Sequence, residues 1–177
     1  IMTLDEGGQI IDGQGNITPA IGLHLQLHAL RPEANVVIHN HAHWSGIWAN
    51  MQRVPPIYDQ TGAHCGLELP IYNEYTGTFE DETSSLSAAE ALGSSKWALL
   101  ANHGALVVAK DLRQAHLRAI TLEWRCKRAY EVELAGGGTP LSDEEVEKVS
   151  ITDANGFPFC WEAMARRELR RDPGILD

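Results

Sequence analysis

The sequence predicts an α/β fold, because segments with the pattern of buried strands alternate with segments of helical period. Asn35–His41 and Trp97–Asn102 are short and apolar, as is typical of strands that are covered on both faces. The segment before the first of them and the long segment after Asp111 instead repeat apolar residues every three or four positions. With 177 residues, the chain has the length of one domain with a sizeable core, so we expect residues 1–177 to form a single domain.

The chain opens on a predicted β-hairpin, with Gly7 and Gly8 at the turn between two short apolar segments. A domain that starts on such a hairpin, at Ile1 and without an initiator methionine, leads us to expect that an N-terminal part is missing. The next segment is predicted to be a helix, because Thr18 can cap it and Pro19 suits its first position. Its leucines also alternate as they would in a strand, but the cap favours the helix.

The remaining elements are predicted from caps, glycines and apolar period. The strand Trp97–Asn102 is interrupted at His103-Gly104 and is expected to resume afterwards, and the helix that follows is expected to carry a capping box of Asp111 and Gln114. The other predicted elements are a helix over Gly46–Met51 capped by Ser45, a short strand at Leu67–Tyr72, a helix over Ser84–Leu92 ending at Gly93, an acidic helix starting at Ser142, and a last helix near Cys160–Arg171.

Composition and charge exclude several classes of function. The 24 acidic and 14 basic residues give a net charge of −10, which argues against nucleic acid as a partner because phosphate contacts need a basic surface. No apolar run approaches the roughly 20 residues that span a bilayer, and no secretory signal is visible. The three cysteines are widely spaced and fit a reducing compartment, so we expect a cytoplasmic protein that acts on a small molecule.

Histidines are the feature that most needs a chemical explanation: the chain has eight, and five lie between His24 and His43. His39 and His41 are two positions apart on a predicted strand, so both imidazoles point to one face. Such a pair is half of a metal site, although it can also cap a strand end by hydrogen bonding. His103 lies at the break in the other strand, where Gly104 allows a close approach. Three histidines at the carboxyl ends of two strands predict a metal site with positions left for substrate.

These motifs resemble those of the class II aldolase/adducin family. The resemblance rests on Pro32-Glu-Ala-Asn-Val-Val-Ile-His-Asn-His41, on Asn102-His103-Gly104, and on the long helix containing Leu122-Glu123. The resemblance runs from the first hairpin to about Ala135. The sequence does not include the family's N-terminal loop, which binds substrate phosphate in sugar-phosphate members.

The resemblance implies a three-layer α/β/α fold around a mixed or antiparallel sheet. It also implies that His39, His41 and His103 bind a divalent metal, with Zn first and Fe, Mn or Co as alternatives. Family enzymes use this metal in aldol cleavage, epimerisation or dehydration. Some relatives decarboxylate aromatic acids or activate dioxygen at iron, and adducin-type members are not enzymes. Family members are commonly homotetramers with active sites near subunit interfaces, so we expect a homo-oligomer.

One departure from the family concerns proton transfer. Family aldolases carry an acidic acid/base residue just before the helix that precedes the metal-binding strand, and the alignment with the family pattern places Ala20 there. We therefore consider His43, Tyr58 and Glu74 as catalytic candidates, alongside His24, His28 and Tyr75. His43 would share the face of His39 and His41 if the strand continued that far. Glu123 is expected to form a salt bridge with a neighbour, and Trp44 and Trp48 either pack in the core or wall an aromatic substrate.

Three functions remain open. The first is a divalent-metal-dependent carbon–carbon lyase acting on a small oxygenated carboxylic or carbonyl substrate. Decarboxylation is favoured over aldol cleavage in this first function, because Ala20 cannot move a proton. The second is a non-haem iron oxygenase on the same fold, and the third is a non-catalytic, adducin-like binding module.

Overall fold

A four-stranded sheet lies at the centre of the fold in the computed structural model, which describes residues 1–75, 77–152 and 158–175. Its strands are β3 (Val36–Asn40), β4 (Ile71–Tyr72), β5 (Trp97–Leu100) and β6 (Gly104–Ala109). They lie in the order β3-β6-β5-β4. Both β3 and β5 are antiparallel to β6, whereas β4 is parallel to β5. The sheet is therefore mixed, and β3 and β5 run in the same direction on either side of β6.

Helices cover both faces of this sheet. On one face, α1 (Ile21–Leu30) and α4 (Glu82–Leu92) pack on Leu106 and Val108 of β6. On the other, α2 (His43–Met51) and α5 (Leu112–Leu134) pack on Ala105 and Val107 of the same strand. Alternate residues of β6 thus pack into the cores on opposite faces of the sheet, which is why the strand is apolar at every position. The predicted three-layer α/β/α arrangement is confirmed.

The remaining elements lie around these layers. A separate two-stranded sheet pairs β1 (Thr3–Leu4) with β2 (Ile10–Asp12), as predicted from the opening hairpin. The short helix α3 (Gln60–Ala63) packs against both α5 and α6 (Asp143–Thr152), and α7 (Pro158–Arg171) packs on α5. Within the described part of the chain, no helix combines the length and the apolar character that crossing a membrane requires.

The apolar segment from Trp97 to Ala109 is a hairpin and not one interrupted strand. After β5, the chain reverses at Ala101, Asn102 and His103, and β6 returns alongside β5. Asn102 has a φ of 56°, in the left-handed region that asparagine tolerates better than most residues. The prediction of a resumed strand was wrong, because an apolar period does not reveal a change of direction.

Two predicted helix starts were also wrong. The first helix has Ala20 as its N-cap, and Thr18 and Pro19 lie in the turn before it, where the Thr18 carbonyl accepts the amide of Ile21. The second helix begins at His43, so Ser45 lies inside its first turn and does not cap it. The predicted strand at Leu67–Tyr72 shortens to the two residues of β4.

The predicted end of α4 and the predicted N-cap of α5 are confirmed, whereas α4 begins at Glu82, two residues before the predicted start. The α4 helix ends at Gly93, and Asp81 accepts the amide of Ser84 at its start. Asp111 caps α5 by accepting the Gln114 amide at 2.8 Å. The Gln114 side chain reaches back to the amide of Lys110 at 3.2 Å, one residue before the amide that a capping box uses.

Candidate metal centre

Three histidines converge at one edge of the central sheet. His39 is the second-last residue of β3, His41 follows that strand, and His103 lies in the turn after β5. Because β3 and β5 run in the same direction, their carboxyl ends meet at this edge, with the start of β6 between them. The topology thus brings together side chains that are separated by more than sixty positions in the sequence.

The spacing of the imidazoles fits a metal ion. Nε2 of His39 lies 3.1 Å from Nε2 of His103 and 3.3 Å from Nε2 of His41. One nitrogen from each ring lies within 4.8 Å of the others. A metal bound at about 2.0–2.1 Å with tetrahedral angles sets its ligand nitrogens about 3.3 Å apart. The donor set and the distances therefore suit a divalent cation.

The ring of His39 is oriented by a backbone group. Its Nδ1 lies 3.2 Å from the carbonyl oxygen of Ala105 in β6. A carbonyl only accepts, so Nδ1 carries the proton and the lone pair of Nε2 faces the other two rings. Ligating histidines commonly have such a partner, which fixes the tautomer and the ring plane. His103 likewise has a hydrogen bond to the backbone of Gly77.

The surroundings favour the neutral imidazoles that a metal requires. Burial is the main cause that lowers the pKa of His39 to about 4, with smaller effects from His103, His41 and His24, against the hydrogen bond to Ala105. Burial and the neighbouring His41 also lower the pKa of His103. A metal competes with protons for imidazole nitrogens, so rings that stay neutral at physiological pH are available as ligands.

Gly104 allows the two strand ends to approach each other. A Cβ at this position would overlap the carbonyl oxygen of Asn40 and lie 2.9 Å from Cδ2 of His41. Any larger residue would push β6 away from β3 at the point where the histidines meet. The sequence-based expectation of a close approach beside His103 agrees with this geometry.

A cavity of about 450 Å³ opens in front of the histidines. Its walls are formed by the three histidines, by Asn40, by Thr78 and by the turn before α1. That turn contributes Thr18, Pro19 and Ala20. Ala20 therefore faces the cavity from the position at which the alignment expected an acidic residue. The ring of Phe79 lies 5.1 Å from that of His103, and the exposed ring of Tyr75 lies 6.2 Å from it.

The three predicted catalytic residues lie outside the wall of this cavity, as far as the described residues define it. His43 is exposed at the start of α2, because β3 ends at Asn40 and does not continue its face, and its ring packs 4.7 Å from that of Trp44. Tyr58 is half-buried against the core between the sheet, α2 and α5. Glu74 is exposed in the loop beside Tyr75.

Glu123 has a role that the sequence did not reveal. Its carboxylate oxygens accept the amides of Trp44 at 3.0 Å and Ser45 at 2.7 Å, at the first turn of α2. The expected salt bridge with a neighbour on its own helix is therefore replaced by a contact 78 and 79 residues away. Nothing local in the sequence signals such a partner.

The two tryptophans of α2 pack in the core. Trp48 is fully buried, and its Nε1 donates a hydrogen bond to the Cys126 carbonyl at 2.8 Å. Trp44 is half-buried, with its ring 5.6 Å from that of Tyr130. Packing, the simpler of the two expectations, therefore accounts for both.

Comparison with known proteins adds a family match. The sequence model described as "Class II Aldolase and Adducin N-terminal domain" matches residues 1–130, which include all three histidines. Among solved structures, that of an aldolase II superfamily protein from Pseudomonas syringae superposes on this chain with a TM-score of 0.86 at 20% sequence identity. The superposition covers 99% of this chain and 74% of that protein. At this identity, the likeness shows the fold alone.

Two curated relatives match nearly the whole chain. A 4-hydroxy-3-prenylphenylpyruvate oxygenase/4-hydroxy-3-prenylbenzoate synthase from Streptomyces roseochromogenus is 26% identical over 94% of the chain. Decarboxylase NovR from Streptomyces niveus is 24% identical over 96% of the chain. The chain spans 61% and 64% of the length of these two relatives.

Proposed function

Because the chain belongs to the class II aldolase and adducin family, we propose that it is a divalent-metal-dependent carbon–carbon lyase that favours decarboxylation over aldol cleavage. The substrate we propose is a small carboxylic acid with an adjacent oxygen, and the metal we propose is Zn²⁺. The observation that carries the proposal is the convergence of three imidazoles on one point at the wall of a cavity.

The three histidines define what the site can bind. A divalent ion held by neutral ligands keeps its full charge and supplies an electron sink for a substrate that chelates it through a carboxylate and a neighbouring oxygen. His39, fixed by Ala105, and His103, held by the Gly77 backbone, present their nitrogens from opposite sides of β6. The cavity of about 450 Å³ leaves room for a guest molecule beside them.

Ala20 supports decarboxylation over aldol cleavage. Loss of CO₂ breaks one carbon–carbon bond and then requires one proton for the carbon that remains. Aldol cleavage requires in addition a base for a hydroxyl proton, and at that place this chain has a methyl group facing the cavity. The relative from Streptomyces niveus, whose name is that of a decarboxylase, also supports this choice.

We propose Glu74 as the first candidate for the proton donor. It lies in the same exposed loop as Tyr75, whose ring is 6.2 Å from that of His103. His43 is the second candidate, although its ring packs against Trp44. Tyr58 packs against the core, which supports a structural role for it.

Metal analysis followed by product analysis tests the function. The protein, purified without added metal, is assayed for bound metals and then incubated with aromatic hydroxy-acids and hydroxy-ketoacids, and released CO₂ and aldehyde are measured. We expect metal-dependent release of CO₂, and a lower rate for Glu74→Gln. Aldehyde released without CO₂ would favour an aldolase, and a protein that takes up no metal would favour an adducin-like binding module.

A non-haem iron oxygenase is a second candidate, favoured by the relative from Streptomyces roseochromogenus, which is named as an oxygenase. Three histidine ligands leave positions open for both substrate and dioxygen. An iron-loaded sample that consumes dioxygen in step with the substrate would establish this function in place of the lyase.

The oligomeric state and the location that we propose are those that the family leads us to expect. We propose a homo-oligomer, with a tetramer as the expected form, working in the cytoplasm on a small molecule. Light scattering coupled to gel filtration measures the number of subunits, and a monomeric protein would contradict this part of the proposal.

A further inference from the structure

We propose that Glu123 is a positioning residue of the metal centre, which fixes His41 by anchoring the first turn of α2. This inference rests on the metal site proposed above. Glu123 lies on α5, on the opposite face of the sheet from α1 and the cavity turn, and it touches none of the three imidazoles among the described contacts. Its effect on the metal would therefore pass through the backbone.

Two amides in the first turn of α2 donate their hydrogen bonds to Glu123. The N-caps of α3, α4 and α5 are aspartates that accept an amide of their own helix. The N-cap of α2 is Ala42, whose methyl group can accept nothing. Glu123, which lies on another helix, acts as the cap instead. One of its carboxylate oxygens accepts the amide of Trp44, and the other accepts the amide of Ser45. The carboxylate also lies at the positive end of the helix dipole, which strengthens both bonds.

His41 lies between two anchored elements. Asn40, the residue before it, is the last of β3 and pairs with Ala105 of β6. Ala42, the residue after it, is the N-cap of α2. His41 itself is exposed, so packing does little to hold its ring. Its backbone, and with it the direction of its ring, is therefore set by the sheet on one side and by α2 on the other.

A second contact makes α2 rigid with respect to α5. Trp48 is fully buried, and its Nε1 donates to the carbonyl of Cys126, one turn of α5 beyond Glu123. The two contacts hold α2 at its start and near its middle. Without Glu123, the helix would stay attached at Trp48, but its first turn and the adjoining His41 would gain freedom.

The size of the effect follows from outer-shell residues of metal sites in general, whose loss lowers metal affinity about 10- to 100-fold. For Glu123→Gln we expect a loss of about tenfold, because the amide keeps one acceptor but turns a donor towards the other N–H. Glu123→Asp keeps the charge on a shorter arm, so an affinity between those of the Gln variant and the unmodified protein is expected.

The test compares Zn²⁺ and Co²⁺ affinities of metal-free proteins, measured by competition with a chromophoric chelator. Asp111→Ala is the matched control, because it removes a helix cap on α5 at the far end of β6 from the histidines. We expect both variants to lose thermal stability, but only Glu123→Gln to lose affinity and to change the visible spectrum of bound Co²⁺.

Each result decides the matter. Equal metal affinity and an unchanged Co²⁺ spectrum in Glu123→Gln would make Glu123 a helix cap only and overturn the inference. If Glu123→Gln does not fold, Glu123→Asp takes its place, and an affinity equal to that of the unmodified protein overturns the inference in the same way. An unmodified protein that binds neither ion would overturn the metal centre itself, and with it any positioning of its ligand.

Discussion

The two ring nitrogens of His39 have different partners, and these partners fix the orientation of the ring in the site. Nδ1 faces the Ala105 carbonyl at 3.2 Å, and Nε2 faces the other two imidazoles. We predict that His39→Ala and His103→Ala each abolish metal retention, because two imidazoles that remain are a poor site for a divalent ion. Metal content after dialysis measures this, and far-UV circular dichroism checks that the fold is kept.

His43→Ala is the control for these two variants. It removes an imidazole two positions from His41 that packs on Trp44 and not on the other histidines. We expect this variant to retain its metal, so a loss of metal equal to that in His39→Ala would mean that the ligand set is wrong.

The low pKa of His39 also predicts how stability depends on pH in the metal-free protein. Burial lowers this pKa from 6.5 to about 4, so between these values the unfolded chain binds a proton that the folded one does not. The free energy of unfolding should therefore fall as the pH is lowered through this window, and the contribution of His39 should level off below it. Urea titrations of the unmodified protein and of His39→Gln measure the effect.

We expect the curve of His39→Gln to be flatter than that of the unmodified protein. Some slope should remain in the variant, because burial also lowers the pKa of His103 and of His24. Parallel curves for the two proteins would mean that His39 is protonated in the folded state at the same pH as in the unfolded chain.

The site residues that the sequence predicted and those that it missed differ in a physical respect. His39, His41 and His103 were predicted as a set, from the strand period, from the glycine beside His103 and from the family resemblance. Glu123 was misassigned to a salt bridge on its own helix, because its partners are backbone amides, which carry no residue identity. His43 was expected on the same face only if the strand continued, and nothing in the sequence marks the end of β3 at Asn40.

At the scale of the element, the close approach of β3 and β6 is the feature most sensitive to one substitution. A Cβ on Gly104 would overlap the carbonyl of Asn40. We predict that Gly104→Ala lowers the free energy of unfolding by about 1–3 kcal/mol, as overpacking does, and weakens metal binding by moving β6 from β3. Chemical denaturation and metal titration measure the two effects.

Gly46→Ala is the matched substitution for this test. Gly46 lies inside α2, and a Cβ there has open space around it. We expect it to raise the free energy of unfolding by about 0.5–1 kcal/mol, because alanine is the better helix former. A Gly104→Ala variant as stable as Gly46→Ala would mean that the strand ends are not in close contact.

The order of the elements was more predictable than their direction. Periods and caps predicted α4 and α5 with nearly the observed bounds, since both helices depend on local signals such as Asp111 and Gly93. The reversal between β5 and β6 was missed, because both strands are apolar throughout and the turn at Ala101–His103 is short. Yet that reversal is what carries the chain back along β3 and brings His103 to His39.

At the scale of the whole molecule, the helices on both faces of the sheet contribute residues to the surroundings of the histidines. The α1 side supplies Ala20 and the cavity turn, and the α5 side supplies Glu123, which holds the helix after His41. The imidazoles lie where these two halves join across β6. Binding of one ion should therefore stabilise the whole fold and not only the loops around it.

Metal binding is thus predicted to raise the melting temperature of the metal-free protein. At a free metal concentration about 100-fold above the dissociation constant, linkage adds about 2.7 kcal/mol, or roughly 5–10 °C for a chain of this size. Differential scanning calorimetry with and without Zn²⁺ measures the shift, which should be absent in His103→Ala and intact in His43→Ala. The same shift in His103→Ala would place the bound metal elsewhere on the protein, since that variant lacks the ligand that joins β5 to β3.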